Sequence, residues 1–272
     1  MRFVCLGQGK KVNLEKFKYI HEAEIDLITL SYDKPFKSDE VNWSSIYLPN
    51  STWSEGRNRL LEEAKKRGFY DYYLFFDDDV IFTKGDIFEL MDAVKNHKPD
   101  FAVPLSDSIK YSNRFNPEQD IQEPIAFDQI IQIYSKRAVY EGIAIPYIER
   151  YDSESWWYSC EINQIFTLCF YSKMSLQFNK IETVNSHHAT DNREKKSAYV
   201  SGMNIERLLE ILVNEIKPYK NTTMYDCLNL AIQNRCKTRK DNSTTKFGDI
   251  FKKNIFSCMH KTKSLIYKSK KS

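Results

Sequence analysis

The segment Tyr72–Phe82, with the sequence YYLFFDDDVIF, constrains the fold of this chain more than any other feature. The apolar residues of Tyr72–Phe76 predict a buried strand, and three consecutive aspartates end it. Adjacent carboxylates repel one another unless a cation or hydrogen-bond donors neutralise them. We therefore predict a site for a divalent cation at the end of this strand, because hard oxygen ligands suit Mg²⁺ or Mn²⁺.

Strands alternate with helices on both sides of the aspartates. Before them, β-rich runs are predicted at Arg2–Leu6, Ile25–Ser31, Ser45–Leu48 and Tyr72–Phe76. A helix separates the last two runs, with Ser54 as its predicted N-cap and Gly68 at its end. This alternation predicts the α/β class, with a mostly parallel sheet covered by helices. In such sheets ligands bind outside the carboxyl ends of the strands, which is where the aspartates lie.

The pattern continues after the aspartates. We predict a helix that begins near Asp86, a strand at Phe101–Leu105, a long surface loop at Ser106–Pro124, a strand at Phe127–Tyr134, a short helix at Ser135–Tyr140 and a helix from Asn204 to Pro218. The long loop has the length of a binding loop or a lid.

Charge is distributed unevenly along the 272 residues, whose formal net charge is +3. The segment Arg235–Ser272 carries twelve Lys or Arg against two Asp, a local balance of +10. The remaining body is therefore negative, which argues against nucleic-acid binding by the body. The tail suits either an anionic membrane surface or a disordered, solubilising end.

Cysteine spacing and hydropathy predict a cytoplasmic protein, peripheral at a membrane surface if the basic tail binds one. The six cysteines form no CxxC pair, which is typical of reduced thiols. No run of 18 apolar residues is present, and the N-terminal apolar run is too short for a secretory signal.

The order of elements and the run hhhhDDDhhF (h, apolar), placed after a helix that carries Gly56-Arg57-Asn58, resemble the GT-A glycosyltransferases with their Asp-x-Asp motif. The resemblance implies that Asp77 and Asp79 bind a metal held on the diphosphate of a nucleotide sugar. It also implies donor binding by Arg57, Asn58, Asp77 and Asp78. A histidine late in the catalytic domain commonly supplies a third metal ligand in this family, which points to His187 or His188.

The segment Ser153–Glu161, with the sequence SESWWYSCE, predicts the acceptor side. Trp156 and Trp157 offer aromatic faces that stack on sugars, and neighbouring acids can bind or deprotonate hydroxyls. Inverting GT-A enzymes hold such an acid at the start of a helix. Glu161, further into the predicted helix and partly desolvated, is our first candidate for the base, followed by Glu154. Asp152 is a third candidate that can equally cap the helix.

We predict a catalytic domain at residues 1–218 and a basic C-terminal extension at 219–272. Within the domain, residues 1–105 form the nucleotide-sugar-binding half and residues 106–218 the acceptor half. The predicted activity is metal-dependent transfer of a sugar, with Mn²⁺ or Mg²⁺, from a nucleoside-diphosphate sugar to a hydroxyl of a glycan or glycolipid. The alternatives are an Mg²⁺-dependent nucleotidyltransferase or phosphohydrolase, and a basic-tailed module that binds nucleic acid or a membrane.

Overall fold

The computed structural model of the chain describes residues 1–10, 19–20, 23, 25–35, 42–110, 115–171, 174–185, 204–220 and 225, with the side chain of Ile205 excepted. Compact units divide the chain at residue 201, into Met1–Ser201 and Gly202–Ser272. The predicted boundary at residue 218 stays a prediction. The basic tail from Arg235 onwards lies outside the described residues, and its predicted membrane contact stays a prediction as well.

One nine-stranded sheet forms the centre of the first unit. Its strands are β1 Phe3–Gly9, β2 Asp26–Ser31, β3 Trp43–Tyr47, β4 Tyr72–Asp77, β5 Val80–Lys84, β6 Phe101–Ser106, β7 Ile121–Gln122, β8 Ile131–Ser135 and β9 Ser175–Asn185. Seven residues of β1 and the first five of β4 are buried, as their continuous apolar runs predict for strands covered on both faces.

The strand order is β3-β2-β1-β4-β8-β6-β9-β5, and β7 pairs with β9 outside this path. The pairs among β3, β2, β1 and β4 are all parallel. β8 then runs antiparallel to both β4 and β6, whereas β6 and β9 are parallel. The α/β class is confirmed, but the sheet is mixed and not mostly parallel: β8 runs antiparallel to both of its neighbours, and β5 and β7 run antiparallel to β9.

The helix before β4, α1, spans Trp53–Arg67. Its N-cap is Thr52 and not the predicted Ser54: the Thr52 hydroxyl accepts from the amide of Glu55, and the Glu55 carboxylate accepts from the amide of Thr52. This reciprocal capping box satisfies two amides, which explains why the helix begins two residues earlier than predicted. Gly68 ends the helix with φ of 136°, as predicted for a residue without a Cβ.

The remaining helices of the first unit are α2 Ile87–His97, α3 Asp107–Lys110, α4 Lys136–Glu141 and α5 Trp156–Phe170. Asp86 caps α2, as predicted, and accepts from the amides of Phe88 and Glu89. Ser135 caps α4 and Ser155 caps α5. No acid therefore caps α5, although Asp152 and Glu154 stand just before it.

Two predicted boundaries were wrong. The strand expected at Phe127–Tyr134 begins only at Ile131, because the preceding residues turn towards the site described below. The segment expected as one loop at Ser106–Pro124 contains the helix α3 and the two-residue strand β7, which hydrogen-bonds to β9. Pairing with a distant strand is invisible in the local pattern of polar residues.

The second unit is described over one helix, α6 Ile205–Glu215, followed by a 3₁₀ turn at Lys217–Tyr219 that contains Pro218. Asn204 caps α6 by accepting from the amides of Glu206 and Arg207, as predicted. Among the described residues, no helix combines the length and the apolar character that crossing a membrane requires.

Candidate functional site

The carboxyl ends of the central parallel strands meet at one edge of the sheet. Gln8 near the end of β1 is in register with Asp77 at the end of β4. The amide of Asp78 donates to the Gln8 carbonyl at 2.8 Å, and the amide of Asp77 donates to the Ile130 carbonyl at 2.9 Å, just before β8. The three aspartates therefore lie at the edge of the sheet where α/β proteins bind ligands.

Asp77 has two side-chain partners on helix α1. Its carboxylate accepts from Nη2 of Arg57 at 2.5 Å and from the indole Nε1 of Trp53 at 3.2 and 3.3 Å. Burial raises the pKa of Asp77 to about 6, whereas Arg57 and the Trp53 N–H oppose the rise and Asp79 and Asp78 add to it. Asp77 is thus held in one orientation by groups that favour its charged form.

Arg57 is a fully buried cation behind Asp77. Its guanidinium lies 4.8 Å from the centre of the Trp53 ring and 5.5 Å from that of Phe75, and Nη2 also donates to the Gln129 carbonyl at 3.2 Å. Its Nε and Nη1 find no hydrogen-bond partner among the described residues. The aromatic faces and the Asp77 carboxylate therefore carry most of the compensation for this charge.

Asp78 and Asp79 form the turn between β4 and β5 and are half-buried. Asp78 packs over Gly9, where an added Cβ would lie 1.9 Å from the Asp78 Cγ. Burial raises the pKa of Tyr32, and the charges of Asp78, Asp77 and Asp79 raise it further. Because Gly9 has no side chain, the Asp78 side chain can pack against the backbone there.

Asn58, the neighbour of Arg57, faces a different partner. Its Nδ2 donates to the Tyr147 carbonyl at 2.9 Å and to Glu149 Oε2 at 2.8 Å, and its Oδ1 accepts from the Tyr147 amide at 2.7 Å. These contacts fix the loop before α5. Asn58 is engaged by protein on both ends of its amide, so direct donor binding, as the resemblance implies, stays a prediction.

Aromatic side chains form a wall beside Asp77. Trp156 is 38% exposed and stacks on Trp157, with 4.2 Å between ring centroids. Trp53 lies 6.1 Å from Trp156 and meets Tyr147 edge to face at 5.1 Å. The two predicted acceptor-side tryptophans therefore lie together, and Trp53 connects them to the aspartates.

The three candidate bases have different surroundings. The Asp152 carboxylate accepts from the hydroxyls of Thr52, Ser54 and Ser159, and so ties the start of α1 to the start of α5. Glu154 is exposed, whereas Glu161 is half-buried. Glu161 follows Trp157 by one helical turn and therefore shares its face of α5.

Glu161 follows Cys160, a buried residue whose backbone is connected to the Arg57 site. Burial raises the pKa of the Cys160 thiol, and the charges of Glu161 and Asp77 raise it further. Gln129, whose carbonyl accepts from Arg57, donates through Nε2 to the Cys160 carbonyl at 3.1 Å. A short chain of contacts therefore links Arg57 to the turn of α5 that carries Glu161.

Metal ligation by His187 or His188 stays a prediction, because both residues lie outside the described part of the chain. Within the described ranges, no group of three His, Cys, Asp or Glu side chains is arranged to hold a metal ion by itself.

Sequence analysis missed Trp53, Gln8 and Gly9. Trp53 precedes Arg57 by four residues, and this spacing places both side chains on one face of α1, a signal that was available. Gln8 packs against Gly56, where an added Cβ would lie 2.6 Å from its Oε1, and donates to the Trp53 carbonyl at 3.3 Å. Nothing local in the sequence points to that contact.

Comparisons with known proteins show what this chain is similar to. Residues 32–156 match the sequence model of glycosyl transferase family 2. Curated proteins give no match. The structure of residues 1–349 of S. aureus TarS has a TM-score of 0.51 at 14% identity, over 92% of this chain and 77% of that one.

Two further solved structures are similar at lower TM-scores. The same TarS segment in complex with UDP-GlcNAc gives 0.49 at 13% identity, over 92% of this chain and 77% of that one. GalNAc-T7 with UDP, GalNAc and Mn²⁺ gives 0.46 at 9% identity, over 68% and 43%. The family-model match over residues 32–156 and the fold shared with TarS confirm the predicted resemblance to the GT-A glycosyltransferases.

Proposed function

We propose that this protein is a metal-dependent glycosyltransferase that moves a sugar from a nucleoside-diphosphate sugar to a hydroxyl of a glycan or glycolipid. The observation that carries the proposal is the group Asp77–Asp79 at the carboxyl edge of the sheet, with a buried arginine behind Asp77 and with Asp78 packed against the backbone at Gly9. The aromatic wall beside this turn supports a carbohydrate acceptor.

The acids of the turn fit a divalent cation by their chemistry. Asp78 and Asp79 offer hard carboxylate oxygens of the kind that Mg²⁺ and Mn²⁺ prefer. Asp77 already accepts from Arg57 and Trp53, so we assign it an orienting role and place the ion on Asp79 and Asp78. The diphosphate, or His187 or His188, would complete the ligands.

The metal, when bound, would offset the charge that develops on the departing diphosphate. The chain's own residues do the remaining work. Arg57 and Trp53 fix Asp77, Asp152 fixes the start of α5, and Trp156 and Trp157 present aromatic faces to the acceptor. For an inverting reaction, Glu161 accepts the proton of the acceptor hydroxyl as that oxygen attacks the sugar.

The test begins with binding, because a ligand that binds only the folded state raises the thermal midpoint. A panel of nucleoside-diphosphate sugars is screened with and without Mn²⁺, and the best donor is then used for transfer assays. We expect Asp79→Asn to lower metal-dependent transfer about 100-fold or more while the thermal midpoint of the protein without ligand stays unchanged.

Asp92→Asn is the matched control, since this carboxylate is exposed on α2 and pairs only with Lys95 among the contacts described. Full turnover by Asp79→Asn at unchanged metal dependence would refute the assignment of the ion. Release of pyrophosphate instead of a glycosylated product would favour a nucleotidyltransferase.

A further inference from the structure

Trp53 contacts both sides of the site. Its indole N–H donates to both oxygens of Asp77, at 3.2 and 3.3 Å, and its ring lies 6.1 Å from Trp156. The same ring covers the Arg57 guanidinium at 4.8 Å. A ligand that changes the charge or the hydrogen bonding of the Asp77 carboxylate therefore acts first on the Trp53 ring, and a shift of that ring acts next on Trp156.

The backbone of Trp53 is fixed from several directions. The residues on either side of it, Thr52 and Ser54, both donate hydroxyl hydrogen bonds to Asp152. Its own carbonyl accepts from Gln8 at 3.3 Å. Because the backbone of Trp53 is held in place, we expect Trp53 to respond to a bound ligand by a movement of its side-chain ring.

The Trp53 ring can move because it is only partly buried. Trp53 is half-buried, and its neighbour Trp156 is 38% exposed. The Trp156–Trp157 stack therefore has a free outer face for an acceptor, while its inner edge meets Trp53. One aromatic array thus runs from the donor carboxylate to the acceptor face.

We infer that Trp53 is a positioning residue that couples the aspartates Asp77–Asp79 to the Trp156–Trp157 stack. When a nucleoside diphosphate binds at the aspartates, the Trp53 ring transmits this binding and changes the orientation of the two stacked rings. The inference deepens the proposed function and rests on it. It assigns to Trp53 no contact with the reacting atoms.

Trp53→Phe tests the coupling, because it keeps a ring over Arg57 but removes the N–H that Asp77 accepts. The full chain and the variant are titrated with UDP, and in parallel with GDP, in the presence of Mn²⁺, and Kd is measured by calorimetry. We expect the variant to bind the better nucleotide about three- to tenfold more weakly, since one hydrogen bond to a carboxylate is lost.

The second readout is collisional quenching of tryptophan emission by acrylamide, with and without saturating nucleotide. Trp53 is itself half-buried and contributes to the emission, so the signal of Trp156 is isolated by comparing quenching with and without Trp156→Phe, both in the parent and in Trp53→Phe. The part of the quenching that Trp156→Phe removes is expected to change when nucleotide binds the parent, and to stay unchanged in Trp53→Phe even at saturation. A purely structural role for Trp53 would leave the nucleotide-dependent change in place.

Trp43→Phe is the matched control. Trp43 is buried at the start of β3, away from the carboxyl edge, and its N–H donates to Thr29 at 3.0 Å. This variant is expected to keep both the nucleotide Kd and the quenching change. Trp53→Tyr serves as the second variant if Phe lowers the thermal midpoint.

Two results separate the inference from the proposed function. If Trp53→Phe and Trp53→Tyr bind nucleotide with the Kd of the parent and show the same quenching change, the coupling is refuted and the proposed function stands. If neither UDP nor GDP binds the parent, the proposed function fails and the inference fails with it.

Discussion

The proposed donor side and the proposed acceptor side of the site are built differently. On the donor side, Arg57 is fully buried and the side chain of Asp77 is only 17% exposed, and each is a hydrogen-bond partner of the other. On the acceptor side, Trp156 is 38% exposed and Glu154 stands in solvent. The buried pair on the donor side is held in place before any ligand binds, whereas the acceptor side exposes its side chains to solvent.

This difference matches what each side has to recognise. A diphosphate and its metal are compact and highly charged, so preorganised charges bind them without reorganisation during the reaction. A sugar acceptor offers apolar C–H faces and hydroxyls, which an exposed aromatic stack accommodates with less demand on geometry. The contrast predicts that changes to the buried pair of Arg57 and Asp77 cost stability and turnover together, whereas changes on the aromatic surface alter substrate affinity.

The largest effect is expected at the base. Glu161→Gln should lower the turnover number of transfer by about 10² to 10⁴ at saturating donor, because the variant cannot accept the acceptor proton. Binding of donor and metal should remain. Glu154→Gln is the neighbouring control and should retain its rate. If the two results are exchanged, Glu154 is the base, and if both variants stay active the reaction retains configuration without such a base.

Arg57→Met should cost about 3 to 5 kcal/mol of unfolding free energy, since it leaves the Asp77 carboxylate buried without its cation. Urea unfolding measures this loss. Arg59→Met is the control on the same helix: Arg59 is 40% exposed and pairs with Glu62 at 3.1 Å, so its loss should cost at most about 0.5 kcal/mol. If Arg57→Met and Arg59→Met lowered the unfolding free energy equally, the claim that the buried pair contributes more stability than the surface pair would be wrong.

Asp152→Asn should cost about 2 to 3 kcal/mol of unfolding free energy, because three hydroxyl donors lose a charged acceptor. Its effect on the turnover number should be smaller than that of Glu161→Gln. The measurement is urea unfolding combined with transfer kinetics. A large loss of turnover with unchanged stability would show that Asp152 acts on the substrate rather than between α1 and α5.

The smallest effect is expected on the open face. Trp156→Ala should raise the KM for the acceptor by about two- to tenfold and leave the donor KM unchanged, because one stacking surface is lost. Tyr140→Ala removes another exposed aromatic, 46% accessible on α4, and should change neither constant. If Trp156→Ala raised the KM for the donor more than the KM for the acceptor, the assignment of Trp156 to the acceptor side would be wrong.

Local signals in the sequence were enough for part of this structure. The buried run of β4, the acids after it, the Asp86 cap and the Gly68 end all follow from the chemistry of adjacent residues, and each is present as predicted. The capping box Thr52-x-x-Glu55 was equally visible, although Ser54 was chosen in its place. The adjacent pair Arg57-Asn58 shows the limit of such local signals. Arg57 contacts Asp77, whereas Asn58 contacts the distant loop at Tyr147.

Other features depend on contacts between residues far apart in the chain. The antiparallel entry of β8 between β4 and β6 follows from packing and not from its own residues. Asp152 lies about a hundred residues after Thr52 and Ser54, and these two partners cannot be read from the segment around it. Gly9 is informative only once Asp78 is known to lie against it.

The buried pair of Arg57 and Asp77 also has a consequence for how such a protein can evolve. Replacing either residue alone passes through a state with one uncompensated charge in the interior, and only a simultaneous double change avoids it. The exposed tryptophans impose no such barrier, since each can be exchanged one step at a time. Descendants of this chain would therefore diversify first in what they glycosylate and last in how they hold the donor.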